Sequence, residues 1–138
     1  MTERMLNILL VEDDTVDVTN VRRAFERNKI LNPLFVAGDG VAALELLRSG
    51  QIPDSRRLVL LDINMPRMNG IEFLREVRAD PMLASTPVVV LTTSNDDQDR
   101  FQAYNLNVAG YLLKPVTFNS FVDVMAALNK YWSLVELP

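Results

Sequence analysis

Short apolar runs alternate with amphipathic segments along the whole chain. Ile8-Leu9-Leu10-Val11 is the first run, halted by the acidic cluster Glu12-Asp13-Asp14. Leu34-Phe35-Val36-Ala37 is the second, closing at Gly38-Asp39-Gly40. Leu58-Val59-Leu60-Leu61 and Val88-Val89-Val90-Leu91 follow, and Gly110-Tyr111-Leu112-Leu113 ends the series at Lys114-Pro115. Runs this apolar, with little alternation and many branched side chains, predict strands buried on both faces. Between them the period changes to that of a helix. Val18, Val21 and Phe25 share one face behind Asp14, an N-cap residue type. Val41, Leu44 and Leu47 do the same ahead of Ser49-Gly50, a C-cap signal. Ile71, Leu74 and Val77 follow Asn69-Gly70 and stop before Asp80-Pro81. A fourth helix, about Asp96 to Asn105, is the least apolar. The last, about Phe118 to Trp132, carries Phe118, Phe121, Val122, Met125, Leu128 and Trp132 at three- and four-residue spacing. This alternation predicts an α/β domain: a parallel sheet with helices on both faces.

Length and composition narrow the picture. The 138 residues suit a single domain spanning 1–138, with 131–138 as an apolar C-terminal extension. No repeat, low-complexity segment or linker interrupts it. No apolar run approaches the ~20 residues of a membrane span. The start, Met1 to Asn7, lacks the basic and apolar regions of a secretory signal, so a cytoplasmic protein is expected. There is no cysteine, which excludes disulfides and thiolate metal sites. There is no histidine, which excludes Ser-His triads, His-ligated zinc and phosphorylation of this chain on histidine. A net charge of −4 argues against a nucleic-acid surface.

In open α/β sheets, ligands bind beyond the carboxyl ends of the strands. The residues standing there are chemically selective. The first run ends in Glu12-Asp13, the third in Asp62 followed by Ile63-Asn64-Met65-Pro66, the fourth in Thr92-Thr93-Ser94 and the fifth in Lys114. Singly, each has an ordinary explanation as a cap, turn or solvated charge. Together they place carboxylates, a hydroxyl and an ammonium on one rim. Clustered carboxylates repel, and a divalent cation relieves them. With only oxygen donors available, Mg²⁺ or Mn²⁺ is favoured over zinc. Asp62 then has the attributes of a nucleophile that forms an aspartyl phosphate. Thr92 and Lys114 would stabilise the phosphoryl oxygens, since phosphoryl transfer needs positioning and charge neutralisation above all.

These motifs resemble the receiver domains of bacterial response regulators. The resemblance is carried by Ile8 to Asp14, Leu60 to Pro66 with Asn69-Gly70, Val88 to Thr93 and Gly110 to Pro115, and it covers residues 6–132. It implies a flavodoxin-like sheet of strand order 2-1-3-4-5. It also implies Glu12 and Asp13 as the acidic pair at the metal, Asp62 as phosphoacceptor and the Asn64 backbone carbonyl as a further ligand. Thr92 and Tyr111 would form the conformational switch, Lys114 would pair with the phosphoryl group, and Asn64 and Ser94 would tune its lifetime. The Lys114–Pro115 bond is expected to be cis. A finer likeness, in Val88 to Ser94, Asp17 and the ending from Trp132, is to the small regulators paired with cyanobacterial and bacterial phytochromes. It implies a light-sensing histidine kinase as phosphodonor. No enzymatic role is expected beyond self-phosphorylation from phosphodonors and slow self-dephosphorylation.

Rival readings fit less well. A phosphatase of the haloacid dehalogenase class wants a second Asp two residues after the first, where this chain has Asn64. A flavin nucleotide module wants a phosphate-cradling loop where Glu12-Asp13-Asp14 stands. The alternative of a phosphorylation-independent receiver-like binding module runs against the complete acidic, hydroxyl and lysine set. The tail from Tyr131 to Pro138 is apolar for a chain end and either folds back or meets a partner. A homodimer through the fourth helix, fifth strand and fifth helix is expected.

Overall fold

The computed structural model describes residues 5–138. The reading of Met1 to Asn7 as lacking a secretory signal rests largely on residues 1–4, which lie outside the described residues. Strands β1 (Asn7–Val11), β2 (Leu34–Ala37), β3 (Arg57–Leu61), β4 (Val88–Thr92) and β5 (Gly110–Leu113) alternate with helices α1 (Thr15–Arg27), α2 (Gly40–Ser49), α3 (Gly70–Ala79), α4 (Asp97–Asn105) and α5 (Phe118–Leu134). The strands form one sheet in the order β2-β1-β3-β4-β5. Every pairing is parallel. The expected topology and the sequence-derived strands are therefore present, with ends displaced by a residue or so.

Because successive strand residues point to opposite faces, the apolar runs supply two cores at once. Leu9, Val11, Val59, Leu61, Val88 and Val90 pack with Leu44, Leu47, Phe73, Leu74 and Val77 of α2 and α3. Ile8, Leu10, Leu58, Leu60, Val89 and Leu91 pack with Val21 and Phe25 of α1 and with Phe121, Met125, Leu128 and Trp132 of α5. Each such large side chain withdrawn from water contributes on the order of 1.5–3 kcal/mol. α4 is the exception: of its residues only Ala103 is buried. Its start is set by Asp96, whose carboxylate accepts from the backbone of Gln98 and Asp99.

The C-terminal extension folds back in part. α5 runs past Trp132 to Leu134, Trp132 is 4% exposed, and its ring lies 6.2 Å from that of Phe25. Leu137 packs on the same core, and the Pro138 carbonyl accepts from the Arg56 backbone at 2.9 Å. Tyr131 and Leu134 remain outside.

Two local features fix the rim where the strands end. The Gly70 N–H donates to the Ile63 carbonyl, drawing the start of α3 onto the end of β3. A Cβ on Gly70 would meet the Asp62 carbonyl oxygen at 2.5 Å and the Ile63 Cα at 2.7 Å, so only glycine allows this approach. Asn69 and Glu72 close a reciprocal capping box over the same turn. One expectation fails: no described peptide bond is cis, so Lys114–Pro115 is trans. Trans is the lower-energy isomer of an X–Pro bond, by roughly 0.5–1 kcal/mol.

Candidate functional site

The parallel sheet delivers β1, β3, β4 and β5 to one rim, and the side chains just beyond them meet. Asp62 follows β3 and is 4% exposed. The Thr92 hydroxyl, at the end of β4 and wholly buried, donates to Asp62 Oδ1 at 2.7 Å. The Asn64 backbone N–H donates to the same oxygen at 3.2 Å. The Lys114 ammonium, beyond β5, reaches Asp62 Oδ2 at 3.3 Å, Glu12 Oε1 at 2.7 Å and Asp17 Oδ2 at 2.8 Å. The other Glu12 oxygen accepts from the Asp14 backbone at 3.1 Å.

Glu12, Asp13 and Asp62 each direct a carboxylate oxygen to within 4.8 Å of the others; Asp13 is exposed while the other two are buried. The electrostatic consequences are visible in two groups. Burial pushes the Glu12 carboxyl up to about 7, and repulsion from Asp62 adds to this against the lowering influence of Lys114. Burial acts to lower Lys114, but hydrogen bonds to Asp17 and Glu12 and the charge of Asp62 outweigh it and hold the ammonium above its ordinary range. One ammonium thus faces several carboxylates, and the donor set is all oxygen. That is the surplus of negative charge and the ligand chemistry that a hard divalent cation relieves.

Behind this group lies a second layer. Ser94, buried, donates its backbone N–H to Thr92 Oγ1 at 3.2 Å and its hydroxyl to Asp99 of α4 at 2.6 Å. The half-buried Tyr111 donates its hydroxyl to the Ser94 carbonyl at 3.0 Å, so β5 and the β4–α4 loop are tied together behind Thr92. Burial, foremost, holds that phenol above its ordinary range. Asn64 stands exposed at the mouth.

Every residue singled out from the sequence falls on this rim or directly behind it. From sequence, Asp17 belongs only to the likeness to phytochrome-paired regulators and has no place in the site. Spacing gave no signal for it: Asp13 precedes the Asp14 N-cap and lies outside α1, so the two do not share a helix face. Asp39 was also missed; buried at the start of α2, it pairs with Arg67 of the β3–α3 loop at 3.0 Å.

Comparison with known proteins agrees with this geometry. Residues 8–126 match the response regulator receiver domain family. The chain is 39% identical over 127 residues to the probable methanogenesis regulatory protein FilR2 of Methanothrix harundinacea, covering 91% of this chain and 82% of that protein. It is 36% identical over 135 residues to response regulator Rcp1 of Synechocystis sp., covering 95% of this chain and 92% of Rcp1. The crystal structure of the Mn²⁺-bound form of Rcp1 superposes with a TM-score of 0.83, covering 96% of this chain and 99% of that one. The phosphorylated cyanobacterial phytochrome response regulator RcpA superposes with a TM-score of 0.86 at 32% identity, covering 97% of this chain and 99% of that one. With an acidic rim assembled on a 2-1-3-4-5 sheet and a family match spanning nearly all of it, the chain belongs to the response regulator receiver domains.

Proposed function

We propose that Asp62 is the phosphoacceptor of this receiver domain, taking its phosphoryl group from the phosphohistidine of a sensor kinase. The observation that carries this reading is the Asp62 carboxylate itself. It is buried yet met by the Thr92 hydroxyl at 2.7 Å and the Lys114 ammonium at 3.3 Å, with Glu12 and Asp13 beside it. An oxygen of Asp62 bonds to phosphorus as the P–N bond to the donor imidazole breaks, and the imidazole nitrogen leaves with the bonding electron pair. Lys114 neutralises part of the charge on the phosphoryl oxygens. Mg²⁺ or Mn²⁺, held by Glu12, Asp13, Asp62 and the Asn64 carbonyl, supplies further charge neutralisation when bound. Hydrolysis reverses the modification: water attacks phosphorus, inorganic phosphate departs and the carboxylate returns. Asn64 and Ser94 flank the acceptor and set how readily that water arrives.

The signal leaves through Thr92 and Tyr111. When the Thr92 hydroxyl turns from Asp62 to a phosphoryl oxygen, the support behind it changes, and the Tyr111–Ser94 tie is the element that must rearrange. The likeness to the cyanobacterial phytochrome response regulator RcpA supports a phytochrome as the kinase. Output is by protein contacts rather than by chemistry on a substrate. No described helix is long and apolar enough to cross a membrane. Incubation with acetyl phosphate and Mg²⁺ is expected to add the mass of one phosphoryl group, labile to hydroxylamine and absent when a chelator is present. No gain from acetyl phosphate or any phosphorylated kinase would move the function to phosphorylation-independent binding.

A homodimer through α4, β5 and α5 is part of the same proposal. Phe101 and Tyr104 on α4, Leu113 on β5 and Val116 just beyond it are all exposed apolar side chains. Sedimentation of the wild type is expected to show a dimer at micromolar concentration, and Phe101→Asp with Val116→Asp is expected to leave a monomer. A wild-type monomer at high micromolar concentration, phosphorylated or not, would remove the dimer from the proposal.

A further inference from the structure

Lys114 has three N–H bonds to give and three carboxylates around it. Its two shortest contacts, 2.7 Å to Glu12 and 2.8 Å to Asp17, are not to the acceptor, which lies at 3.3 Å. Two of the three partners, Glu12 and Asp62, belong to the cluster of carboxylates that can converge on a cation; Asp17 does not. A cation that claims Glu12 therefore removes the shortest contact holding the ammonium. Asp17 is the partner left in place. It sits in the first turn of α1, fixed by a helix whose N-cap, Asp14, accepts from the Asp17 backbone. An acid in a first helical turn is already satisfied by the helix dipole and needs no side-chain partner. This one is nonetheless turned inward to the ammonium, with its side chain only 20% exposed.

We infer that Asp17 is a positioning residue: it holds the Lys114 ammonium at the phosphoacceptor once the cation has taken Glu12. The inference rests on the phosphoacceptor reading above. It gives Lys114 one partner that neither metal nor phosphoryl group displaces. The lysine meets the phosphoryl oxygens from a fixed origin instead of being drawn out to solvent.

The side-chain ammonium resonances of a ¹⁵N-lysine-labelled protein test this directly. The chain has only Lys29, Lys114 and Lys130, and the first and last are exposed. In wild type the Lys114 ammonium signal is expected to persist without metal and with Mg²⁺. In Asp17→Asn it is expected to persist without metal, where Glu12 still holds it, and to be lost to solvent exchange when Mg²⁺ is added. The rate of phosphorylation by acetyl phosphate is expected to fall about tenfold in Asp17→Asn, the loss of one charge-assisted hydrogen bond, and to recover in part in Asp17→Glu. Mg²⁺ affinity, read by calorimetry, is expected to stay within about twofold, because Asp17 lies outside the cluster. A Lys114 signal that survives Mg²⁺ in Asp17→Asn, or a variant rate within twofold of wild type or above it, overturns the inference. A wild type that takes no phosphoryl group sinks the phosphoacceptor reading instead, and the ammonium signals still decide whether Asp17 holds Lys114.

Discussion

Asp62→Asn is expected to abolish phosphoryl uptake completely, with no mass gain from acetyl phosphate at any time at which wild type is modified. The carboxamide oxygen is a poor nucleophile, and among the described residues no other carboxylate combines the burial, the Thr92 hydroxyl and the Lys114 ammonium found at Asp62. Asp13 is exposed and Glu12 is committed to Lys114 and to the Asp14 backbone. Fold is expected to survive, since Asn can still accept from Thr92 and Asn64 through its carbonyl oxygen. One of the mutually repelling charges is gone, which offsets the weaker contact to Lys114. The variant should also lose most of the thermal stabilisation that Mg²⁺ gives wild type, because a ligand stabilises only through its affinity for the folded state. Mass spectrometry and melting curves with and without Mg²⁺ check both halves. Labile phosphorylation that persists in Asp62→Asn would assign the acceptor elsewhere.

The frame of this site was legible in the sequence because parallel strands announce themselves twice. Their apolar runs are nearly continuous, and the residue after each run lands on a common rim. Glu12, Asp62, Thr92 and Lys114 are each the first or second residue past an apolar run, and the register of β1, β3, β4 and β5 makes them neighbours. What lay beyond that rule was harder to see. Asp17 is on a helix, and which way a first-turn side chain points depends on how α1 crosses the sheet. The Arg67–Asp39 pair joins loops that only the folded topology brings together. α4 lies where the sequence puts it, although only Ala103 is buried and its apolar pattern is sparse; the Asp96 cap is its clearest mark. The tail was undecided because an apolar end serves either a core or a partner. Trp132 and Leu137 turn inward, while Tyr131 and Leu134 do not.

The same charge surplus predicts how stability responds when its counter-ion is removed. Among the described residues, Lys114 is the cation within ion-pair distance of Glu12, Asp17 and Asp62. Lys114→Ala leaves two buried carboxylates unpaired, a loss that costs about 3–5 kcal/mol for a buried pair broken on one side. That cost depends on pH through Glu12. Its carboxyl is raised on folding from 4.5 to about 7, chiefly by burial. A raised acid binds its proton more tightly in the folded state, so its favourable contribution is complete below 4.5 and is lost as pH rises through about 7. In Lys114→Ala the lowering influence of the lysine on Glu12 disappears as well, so the carboxyl is raised further and the loss extends to higher pH. Metal-free Lys114→Ala is therefore expected to be much less stable than wild type at pH 8 and closer to it at pH 5.5, by urea denaturation at each pH. Mg²⁺ at pH 8 is expected to recover more stability in the variant than in wild type, since it substitutes for the missing positive charge. Equal destabilisation at both pH values, with no larger Mg²⁺ effect, would mean that Lys114 acts through packing of its aliphatic chain and not as the counter-charge of the acidic rim.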